Sequence, residues 1–405
     1  MCSKNLLSRK MSRMKILHIC LQAPYNDNWG YQDNLIPKYH RKAGHDVTVI
    51  TTNTTQTGNR ISIVETGDYF LPDGVHIIRL DYVRFFPRKI AAVLKYYRIH
   101  ELLEELKPDF IMVHGLGNIS VLQVYRYVKR CNPKCVVIAD NHLDEYNANF
   151  PPGRKGSLLI FFYRLLNKKM QKVYSKVFGV TPCRVSYQER IFGIRPSKSG
   201  VLVMGGDDDK IHFGRKTEIS EDIRKRYTIA EDDFLIITGG KIDEAKNIHL
   251  LMQAVNELDN AKVKLLVFGQ ANESFSATIG ELAAGKNIRY IGWIDAEQVY
   301  DYFLAANLAV FPGTHSVLWE QACACGIPAV FKKWEGMDHV DVGGNCLFLY
   351  QNSSDEIKQV IDKIYRHKKL YQDMQAVSIS KGRKTFSYRD IAKRAIEWNY
   401  DENFE

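Results

Sequence analysis

The 405-residue chain is poor in cysteine and has no long hydrophobic run. Its eight cysteines are about 2% of the residues, far below a disulfide scaffold, so we expect free thiols and a reducing, cytoplasmic setting. No stretch reaches 18 consecutive apolar residues, and no membrane-spanning helix is predicted. The apolar run Ile16–Leu21 is too short for a signal peptide and predicts a first strand.

Several nucleotide and metal motifs are also missing. There is no Walker A sequence, and no Gly-x-Gly-x-x-Gly follows the first strand, so a dinucleotide oxidoreductase has little support. Cys131 with Cys135, and Cys323 with Cys325, lack the second pair that a zinc site needs. The run Asp207-Asp208-Asp209 leaves two interpretations open, a divalent-metal cluster or a set of turn caps. The prediction is that no metal and no cofactor is required.

Charge is distributed unevenly along the chain. Residues 1–200 contain 31 Lys and Arg against 15 Asp and Glu, a net +16, while residues 201–405 contain 25 against 31, a net −6. The length favours two or three domains, at roughly 150 residues each. The asymmetry favours two domains with different partners, the basic one facing an anionic surface.

Short β-branched runs alternate with helical patterns in both halves, which is typical of parallel βαβ units. The prediction is an α/β fold of two doubly wound domains facing a cleft, joined near Ile194–Gly206, where glycine and proline interrupt the pattern. Predicted strands of the first half are Lys15–Leu21, Val47–Thr51, His76–Arg79, Phe110–His114, Val136–Asp140, Val177–Thr181 and Val201–Met204; its helices are Asn34–Ala43 and Lys89–Leu106. Those of the second half are strands Leu235–Gly239, Val263–Gly269, Ile288–Ile291, Leu308–Phe311, Ala329–Phe331 and Leu347–Leu349, and helices Asn247–Leu258, Ala296–Ala305, Leu318–Ala324 and Ser354–His367.

Two stretches of the second half combine features of a phosphate site. Thr238–Asn247 follows a strand, opens a helix and carries Lys241 and Lys246, whose ammonium groups could reach one diphosphate or could simply be solvated. Phe311–Pro328 is a strand end, a glycine loop and a helix predicted to begin near Ser316, where free N–H groups favour phosphate. Glu320 lies one turn into that helix, as a ribose ligand or as an ordinary surface glutamate. Gly292, at the strand end Tyr290–Ile294, gives a weaker signal for a nucleobase site.

Six motifs spread over nearly the whole chain carry a family resemblance. The motifs are Trp29-Gly30-Tyr31, the Gly-His-x-Val-x-Val pattern within Ala43–Val49, the Pro-Asp strand Pro108–Gly115, Gly205-Gly206-Asp207, Gly240-Lys241-Ile242 with Lys246, and the Glu-x-Ala-x-Ala-x-Gly-x-Pro pattern Glu320–Pro328. With these motifs the chain resembles the retaining glycosyltransferases of the large sucrose-synthase-like family, family 4, which have the two-domain GT-B fold.

The chain departs from the family pattern in the loop before Glu320. The family's first glutamate should lie eight residues earlier, where this chain has Pro312, and the loop is about three residues shorter. His315 and Ser316 are the candidates for part of that role. Lys241 replaces the family's arginine, which keeps the charge but loses the bidentate fork.

The resemblance implies three segments and a set of site residues. The segments are an acceptor-binding domain over 1–200, a nucleotide-sugar domain over 201–382, and a C-terminal helix over 383–405 that crosses back to the first domain. It implies His142, Lys246 and Glu320 as catalytic residues, with Trp29, Tyr31 and His114 contacting the acceptor. The implied donor contacts are Gly30, Gly240, Lys241, Lys246, Gly292, His315, Ser316, Val317 and Glu320. No carboxylate is placed as a covalent nucleophile, so front-face attack by the acceptor hydroxyl is expected.

Two basic segments of the first half contain no acidic residue. Arg154–Lys176 has seven Lys and Arg around the apolar centre Leu158–Leu166, and Tyr82–His100 mixes basic with aromatic residues. This pattern favours amphipathic segments on an anionic membrane, although a core helix with a solvated basic face would look similar. No nucleic-acid motif is present, so nucleic acid is not an expected partner.

These observations together predict sugar transfer from a UDP- or GDP-sugar to a lipid-linked saccharide, in the synthesis of a capsule, O-antigen or exopolysaccharide. The protein is expected in the cytoplasm, peripheral on the inner face of the cell membrane. Two alternatives stay open: a catalytically inactive GT-B sugar-binding or scaffold subunit, and a GT-B nucleotide-sugar epimerase.

Overall fold

The computed structural model describes residues 13–58, 60–85, 87–88, 94–148 and 150–398. The chain divides into two compact units, Met1–Leu202 and Val203–Glu405. Each is built around its own mainly parallel sheet, which confirms the predicted α/β class.

The sheet of the first unit has eight strands in the order β10-β9-β8-β7-β1-β2-β6-β5, and only β5 runs antiparallel to its neighbour. The strand β1 is buried at every position after Lys15, as expected for the centre of a parallel sheet. A small hairpin of β3 and β4 lies apart from the sheet. The strands are β1 Lys15–Cys20, β2 Asp46–Thr52, β3 Thr54–Thr57, β4 Arg60–Ile63, β5 Gly67–Phe70, β6 His76–Leu80, β7 Phe110–His114, β8 Val136–Asn141, β9 Tyr174–Gly179 and β10 Ser199–Val201.

Five helices are described in the first unit, α1 Gln32–Lys42, α2 His100–Leu106, α3 Leu122–Arg130, α4 Arg154–Met170 and α5 Pro182–Phe192. The sequence around α5 explains its bounds. Thr181 caps the first turn with its hydroxyl, Pro182 starts the helix with a preset φ, and Gly193 ends it in the left-handed conformation.

The second unit has six parallel strands in the order β13-β12-β11-β14-β15-β16. The strands are β11 Phe234–Gly239, β12 Val263–Phe268, β13 Ile288–Gly292, β14 Leu308–Phe311, β15 Ala329–Lys332 and β16 Cys346–Leu349. The helices are α6 Lys216–Arg226, α7 Ile248–Asn256, α8 Ser276–Ala283, α9 Val299–Ala305, α10 Leu318–Ala324, α11 Ser354–Arg366, α12 Lys368–Val377, α13 Arg383–Thr385 and α14 Tyr388–Glu397, with a π-helical turn Ser378–Gly382 between α12 and α13.

The last helix, α14, is fastened to the beginning of the second unit. Gly206 donates its N–H to the carbonyl of Phe386 at 2.9 Å and accepts from the N–H of Tyr388 at 3.2 Å. Ser387 caps α14 and donates its hydroxyl to the Asp208 carboxylate at 2.7 Å. The predicted return of this helix to the first domain stays a prediction.

Several predictions about elements of the first unit were wrong or incomplete. The strand predicted over Val201–Met204 is β10, Ser199–Val201, instead. Within the helix predicted over Lys89–Leu106, residues 95–99 are not helical and α2 begins at His100, while residues 89–93 lie outside the described residues. The strands β3, β4 and β5 were not predicted, because they are four residues long, mostly exposed and without a clear apolar alternation. In the described residues there is no disulfide, and no helix is both long enough and apolar enough to cross a bilayer.

Candidate functional site

The strand order of the second sheet reverses between β11 and β14, which are neighbours although two strands and three helices lie between them in the chain. Ligands of open parallel sheets bind at such a switch point, beyond the carboxyl ends of the strands. The loop after β11 spans residues 240–247, and the loop after β14 spans residues 312–317. These loops hold most of the donor-site residues predicted from the sequence.

The two loops are bonded directly to each other. The N–H of Thr314 donates to the carbonyl of Ala245 at 2.9 Å, and the Asn247 amide donates to the carbonyl of Pro312 at 3.1 Å. A Cβ at Gly313 would lie 2.3 Å from the Lys246 carbonyl carbon, so only glycine permits this approach. Pro312, which replaces the family's first glutamate, therefore belongs to a contact between the loops.

The ammonium group of Lys246 links the two loops. Its Nζ donates to the carbonyls of Thr314 at 2.7 Å and His315 at 3.0 Å, which uses two of its three N–H bonds. Burial lowers the pKa of Lys246, Asp243 opposes that effect, and the neighbouring Lys241 adds to it. Lys241 itself is exposed, with 69% of its side chain accessible and its Nζ 3.3 Å from Asp243. The two ammonium groups thus form a small positive region at the strand end.

Glu320 lies in the first turn of α10 and is completely buried. Its Oε1 accepts from Nε2 of His315 at 2.8 Å and from Nε2 of His339 at 2.8 Å. Burial alone would raise the pKa of Glu320, but the two histidines more than offset this and hold the pKa well below its usual range. Its Oε2 is also buried and has no hydrogen-bond partner in the protein.

His315, Glu320 and His339 have the composition of a two-histidine, one-carboxylate metal site. The contacts fit hydrogen bonding better. Both imidazole Nε2 atoms are at hydrogen-bond distance from the same oxygen, and Nδ1 of His339 is buried without the second-shell partner that metal-bound histidines generally have.

The remaining predicted donor residues border the same strand ends. Gly240 has φ +111° and Gly292 has φ +72°, conformations that favour glycine, and both come directly at the end of a strand. The helix α10 spans Leu318–Ala324, the bounds predicted from the periodic pattern, and begins two residues after the start near Ser316 that the phosphate-site interpretation used; Ser316 and Val317 form the turn before it. The N–H groups of Ser316 and Val317 are therefore part of a turn rather than of a helix.

The run Asp207–Asp209 serves as a set of turn and helix caps. The Asp207 carboxylate accepts from the N–H of Asp209 at 3.2 Å, and the Asp208 carboxylate accepts from Ser387 and from the N–H of Arg389. Of the two interpretations left open by the sequence, these contacts favour the capping one.

In the first unit, the strand order reverses between β1 and β7, and His114 lies at the carboxyl end of β7. Its Nδ1 is 2.7 Å from Oδ2 of Asp140, which is fully buried at the end of β8. His142 follows β8 with its side chain 40% exposed, and its Nε2 is 3.6 Å from the same Asp140 oxygen. Asp140 thus faces both histidines that the sequence singled out.

The predicted glycine loop precedes α1 in the same unit. Trp29 and Tyr31 are both partly exposed and pack against each other, with ring centroids 4.9 Å apart. A Cβ at Gly30 would meet nothing within 4 Å, so the protein itself does not require glycine there.

Sequence reasoning missed four residues of these clusters: His18, His40, Asp140 and His339. His339 bonds Glu320 from 19 positions later, His18 bonds His114 from 96 positions earlier, and His40 bonds His18, so the fold alone brings these three histidines to the clusters. The one available signal was Asp140, two residues before His142 at a strand end.

A protein-family model matches the part of the chain that contains these two loops. The model of Glycosyl transferases group 1 matches residues 219–380, which contain both loops and Glu320. A mannosylfructose-phosphate synthase of Agrobacterium fabrum is 20% identical over 236 residues, 54% of this chain and 51% of that protein. The Bacillus subtilis protein TuaC, which carries the name of a teichuronic acid biosynthesis glycosyltransferase, is 25% identical over 164 residues, 40% of each chain. The chain thus spans about half or less of these relatives.

Solved structures define the fold. A glycosyltransferase of Rickettsia africae has a TM-score of 0.68 at 14% identity, covering 96% of this chain and 98% of that one. HepE of Anabaena, solved in complex with UDP-glucose, has a TM-score of 0.61 at 14% identity, covering 96% and 100%. The protein has the two-domain GT-B fold.

Proposed function

We propose that the protein is a retaining, family 4 glycosyltransferase that moves a sugar from a nucleoside-diphosphate sugar to a hydroxyl of a lipid-linked saccharide. The observation that carries this proposal is the loop pair at the switch point of the second sheet. There Lys246 spans both loops, Lys241 lies beside it, and a buried carboxylate with one unpartnered oxygen follows. The group 1 family match over this segment supports the same activity.

The chemistry required of the donor site is stabilisation of a leaving diphosphate. The third N–H of Lys246 and the ammonium of Lys241 would donate to its phosphate oxygens, where negative charge develops in the transition state. Oε2 of Glu320 would accept from a ribose hydroxyl. Since the two lysines supply positive charge, we propose a reaction without an obligatory metal ion.

The acceptor side is proposed to lie at the carboxyl ends of β7 and β8. His142, which is partly exposed, would contact the sugar or orient the acceptor hydroxyl, and His114 would support it through Asp140. Trp29, Gly30 and Tyr31 would border the sugar, because exposed aromatic rings suit the apolar faces of saccharides.

The proposed lipid-linked acceptor rests on helix α4. Leu158, Phe161 and Leu165 follow each other at helical spacing and are 69%, 58% and 50% exposed. Arg164, Lys168 and Lys172 line an adjacent surface groove of about 510 Å³. Exposed apolar residues beside cations suit an anionic membrane surface, and we therefore propose peripheral attachment to the inner face of the cell membrane. The name of TuaC supports a surface polysaccharide as the product class.

The proposal is tested by incubating the protein with a panel of UDP-, GDP-, ADP- and dTDP-sugars. We expect slow release of one nucleoside diphosphate, faster with acceptor, and stabilisation of the protein by that diphosphate. Product stereochemistry then tests retention, and the accepted donor distinguishes hexosyl from N-acetylhexosaminyl transfer.

Two outcomes would favour the alternatives. Ligand stabilisation without turnover of any donor would indicate an inactive sugar-binding subunit. Formation of an epimeric nucleotide sugar without diphosphate release would indicate an epimerase, since UDP-GlcNAc 2-epimerases share the fold, as the Neisseria meningitidis enzyme does with a TM-score of 0.57.

A further inference from the structure

Three buried histidines of the first unit form a continuous hydrogen-bonded chain. Nε2 of His18 is 3.1 Å from Nδ1 of His40, and Nδ1 of His18 is 2.9 Å from Nε2 of His114. Nδ1 of His114 is in turn 2.7 Å from Asp140. The chain starts on α1, crosses β1 and β7, and ends on β8, next to His142.

The carboxylate at the end of this chain fixes the direction of every bond in it. Asp140 can only accept, so His114 donates through Nδ1. If His114 is neutral, its Nε2 must accept from Nδ1–H of His18. The Nε2 of a neutral His18 must then accept from Nδ1–H of His40. All three rings are Nδ1–H tautomers in this first pattern.

One additional proton reverses the chain. When His114 carries protons on both nitrogens, its Nε2–H donates to Nδ1 of His18, and Nε2–H of His18 donates to Nδ1 of His40. The chain gains one proton in total. In passing from the first pattern to the second, His40 and His18 each gain one proton at Nε2 and pass one on from Nδ1, so the positive charge ends on His114. His18 and His40 stay neutral but become Nε2–H tautomers.

We propose that His18 and His40 are positioning residues that form a proton relay with His114, and that this relay determines whether Asp140 pairs with a charged His114 or with His142. With the relay in its neutral pattern, the negative charge of Asp140 is available to His142. With the additional proton on His114, that charge is already compensated. Only the link to His142 as a reacting group rests on the proposed function.

The surroundings of the chain favour His114 as the resting place of that proton. Burial lowers the pKa of His18, and the neighbouring His40 and His114 lower it further, whereas Asp140 raises it. Burial would also lower the pKa of His114, but Asp140 and, more weakly, Asp33 raise it above its ordinary value. The other ionisable groups that interact with Asp140 are Asp33 of α1, Cys20 of β1 and Tyr174 of β9. Burial raises the pKa of all three, His114 and His142 partly offset this at Asp33, and the Cys20 thiol and the Tyr174 phenol stay neutral.

The test is a pH titration of the protein labelled with ¹⁵N in its histidines, over about pH 5 to 8. Ring ¹⁵N shifts distinguish the two neutral tautomers from the cation. We expect His18 and His40 to switch from Nδ1–H to Nε2–H with the same midpoint at which His114 becomes charged. A single unchanging tautomer on His18 or His40 through that midpoint, or a charge on His18, would overturn the relay.

Two variants provide the matched comparison. In His18→Phe the chain is cut, so the tautomer of His40 should no longer follow the charging of His114. In His45→Phe it should still follow, since His45 is a buried neighbour of His40, with ring centroids 6.3 Å apart, that takes no part in the chain. Uncoupling in both variants would contradict the proposed path. If His18→Phe fails to fold, the titration of the unmodified protein still decides.

A kinetic measurement separates the relay from the proposed function. If a donor is turned over, His18→Phe should shift the pH profile of kcat and leave the donor KM within about twofold, because it touches no donor contact. An unchanged pH profile would refute the link to His142. Absence of turnover with every donor would refute the proposed function, whereas the tautomer titration would still test the relay.

Discussion

The two sheets carry different kinds of side chain at the strand ends next to their switch points. In the first unit, which belongs to the basic half, the strand ends β7 and β8 hold one buried and one partly exposed histidine around a buried carboxylate. In the second unit, in the acidic half, the loops after β11 and β14 hold two lysines and a carboxylate clamped by histidines. The proposed diphosphate site thus lies in the half of the chain with net charge −6.

The difference shows that the net charge of a domain does not predict where it can bind a small anion. The net charge of a domain governs long-range attraction to surfaces, whereas a diphosphate is held by two or three donors at fixed positions. Part of the surplus of positive charge in the first unit lies on helix α4, which contributes no residue to the histidine chain. The predictions below therefore set one unit against the other, from the largest expected effect to the smallest.

The largest effect is expected at the buried carboxylate of the second unit. Glu320→Ala leaves two buried imidazoles without their acceptor, and should lower the free energy of unfolding by about 3–5 kcal/mol. Urea unfolding measures this. The exposed Glu297, paired with Lys210 at the surface, is the control, and Glu297→Ala should cost less than about 1 kcal/mol. Equal losses would show that the hydrogen bonds of His315 and His339 to Glu320 contribute nothing to the free energy of unfolding.

The next prediction concerns how the Glu320 carboxylate affects the stability of the protein in acid. The pKa of Glu320 is lower in the folded than in the unfolded state, so its contribution is present above the unfolded value of about 4.3 and is lost as the pH falls towards the folded pKa. Glu320→Gln should lack this part of the acid dependence. Parallel stability curves below about pH 4.3 would contradict the depressed pKa.

A smaller effect is expected for nucleotide binding. Lys246→Ala removes a charge-assisted contact worth roughly 1.5–3 kcal/mol and unfastens the two loops, so diphosphate affinity should fall at least about tenfold. Lys241→Ala removes an exposed charge and should cost less. Calorimetric titration with the preferred diphosphate compares them, and a larger loss for Lys241→Ala would reverse the assignment.

Membrane attachment should depend on the first unit alone. In sedimentation with anionic vesicles, binding should weaken with salt and should fall when four basic residues become Gln, namely Arg164, Lys168, Lys169 and Lys172. The charge-matched control on the second unit replaces Lys225, Lys363, Lys368 and Lys369. If the control loses as much binding, net charge rather than helix α4 makes the contact.

The smallest effect is expected from a chelator. EDTA should leave diphosphate binding and turnover unchanged, because lysines supply the positive charge. Loss restored by Zn²⁺ and abolished by His339→Ala would instead indicate a metal in the histidine–carboxylate cluster of the second unit, and loss restored by Mg²⁺ would indicate one at Asp207–Asp209.

The sequence predicted the sheets well because buried parallel strands are continuous apolar runs. Leu308–Phe311 was predicted with its observed bounds, and Lys15–Leu21 within one residue. It predicted the loops at β11 and β14 because glycine and lysine stand directly after such runs. The exposed strands β3 to β5 give no such signal, and the helix predicted over Lys89–Leu106 missed the non-helical residues 95–99 because basic and apolar residues alternate there.

The side-chain clusters could not be predicted, for a topological reason. A parallel sheet brings together strand ends that are separated by a whole crossover, so the partners of a residue lie far away in sequence. His315 and Glu320 are close enough to be suspected, but the imidazole of His339 comes from beyond β15. The relay of His18, His40 and His114 likewise needs β1, α1 and β7 in register.

The backbone bonds between Gly206 and the start of α14 hold the first residues of the second unit against the residues just before its last described helix. A Cβ at Gly205 would lie 2.1 Å from the carbonyl oxygen of Phe386, so this contact leaves no room for a side chain. Gly205 is thus the point at which the start of the unit and its last described helix are fixed to each other.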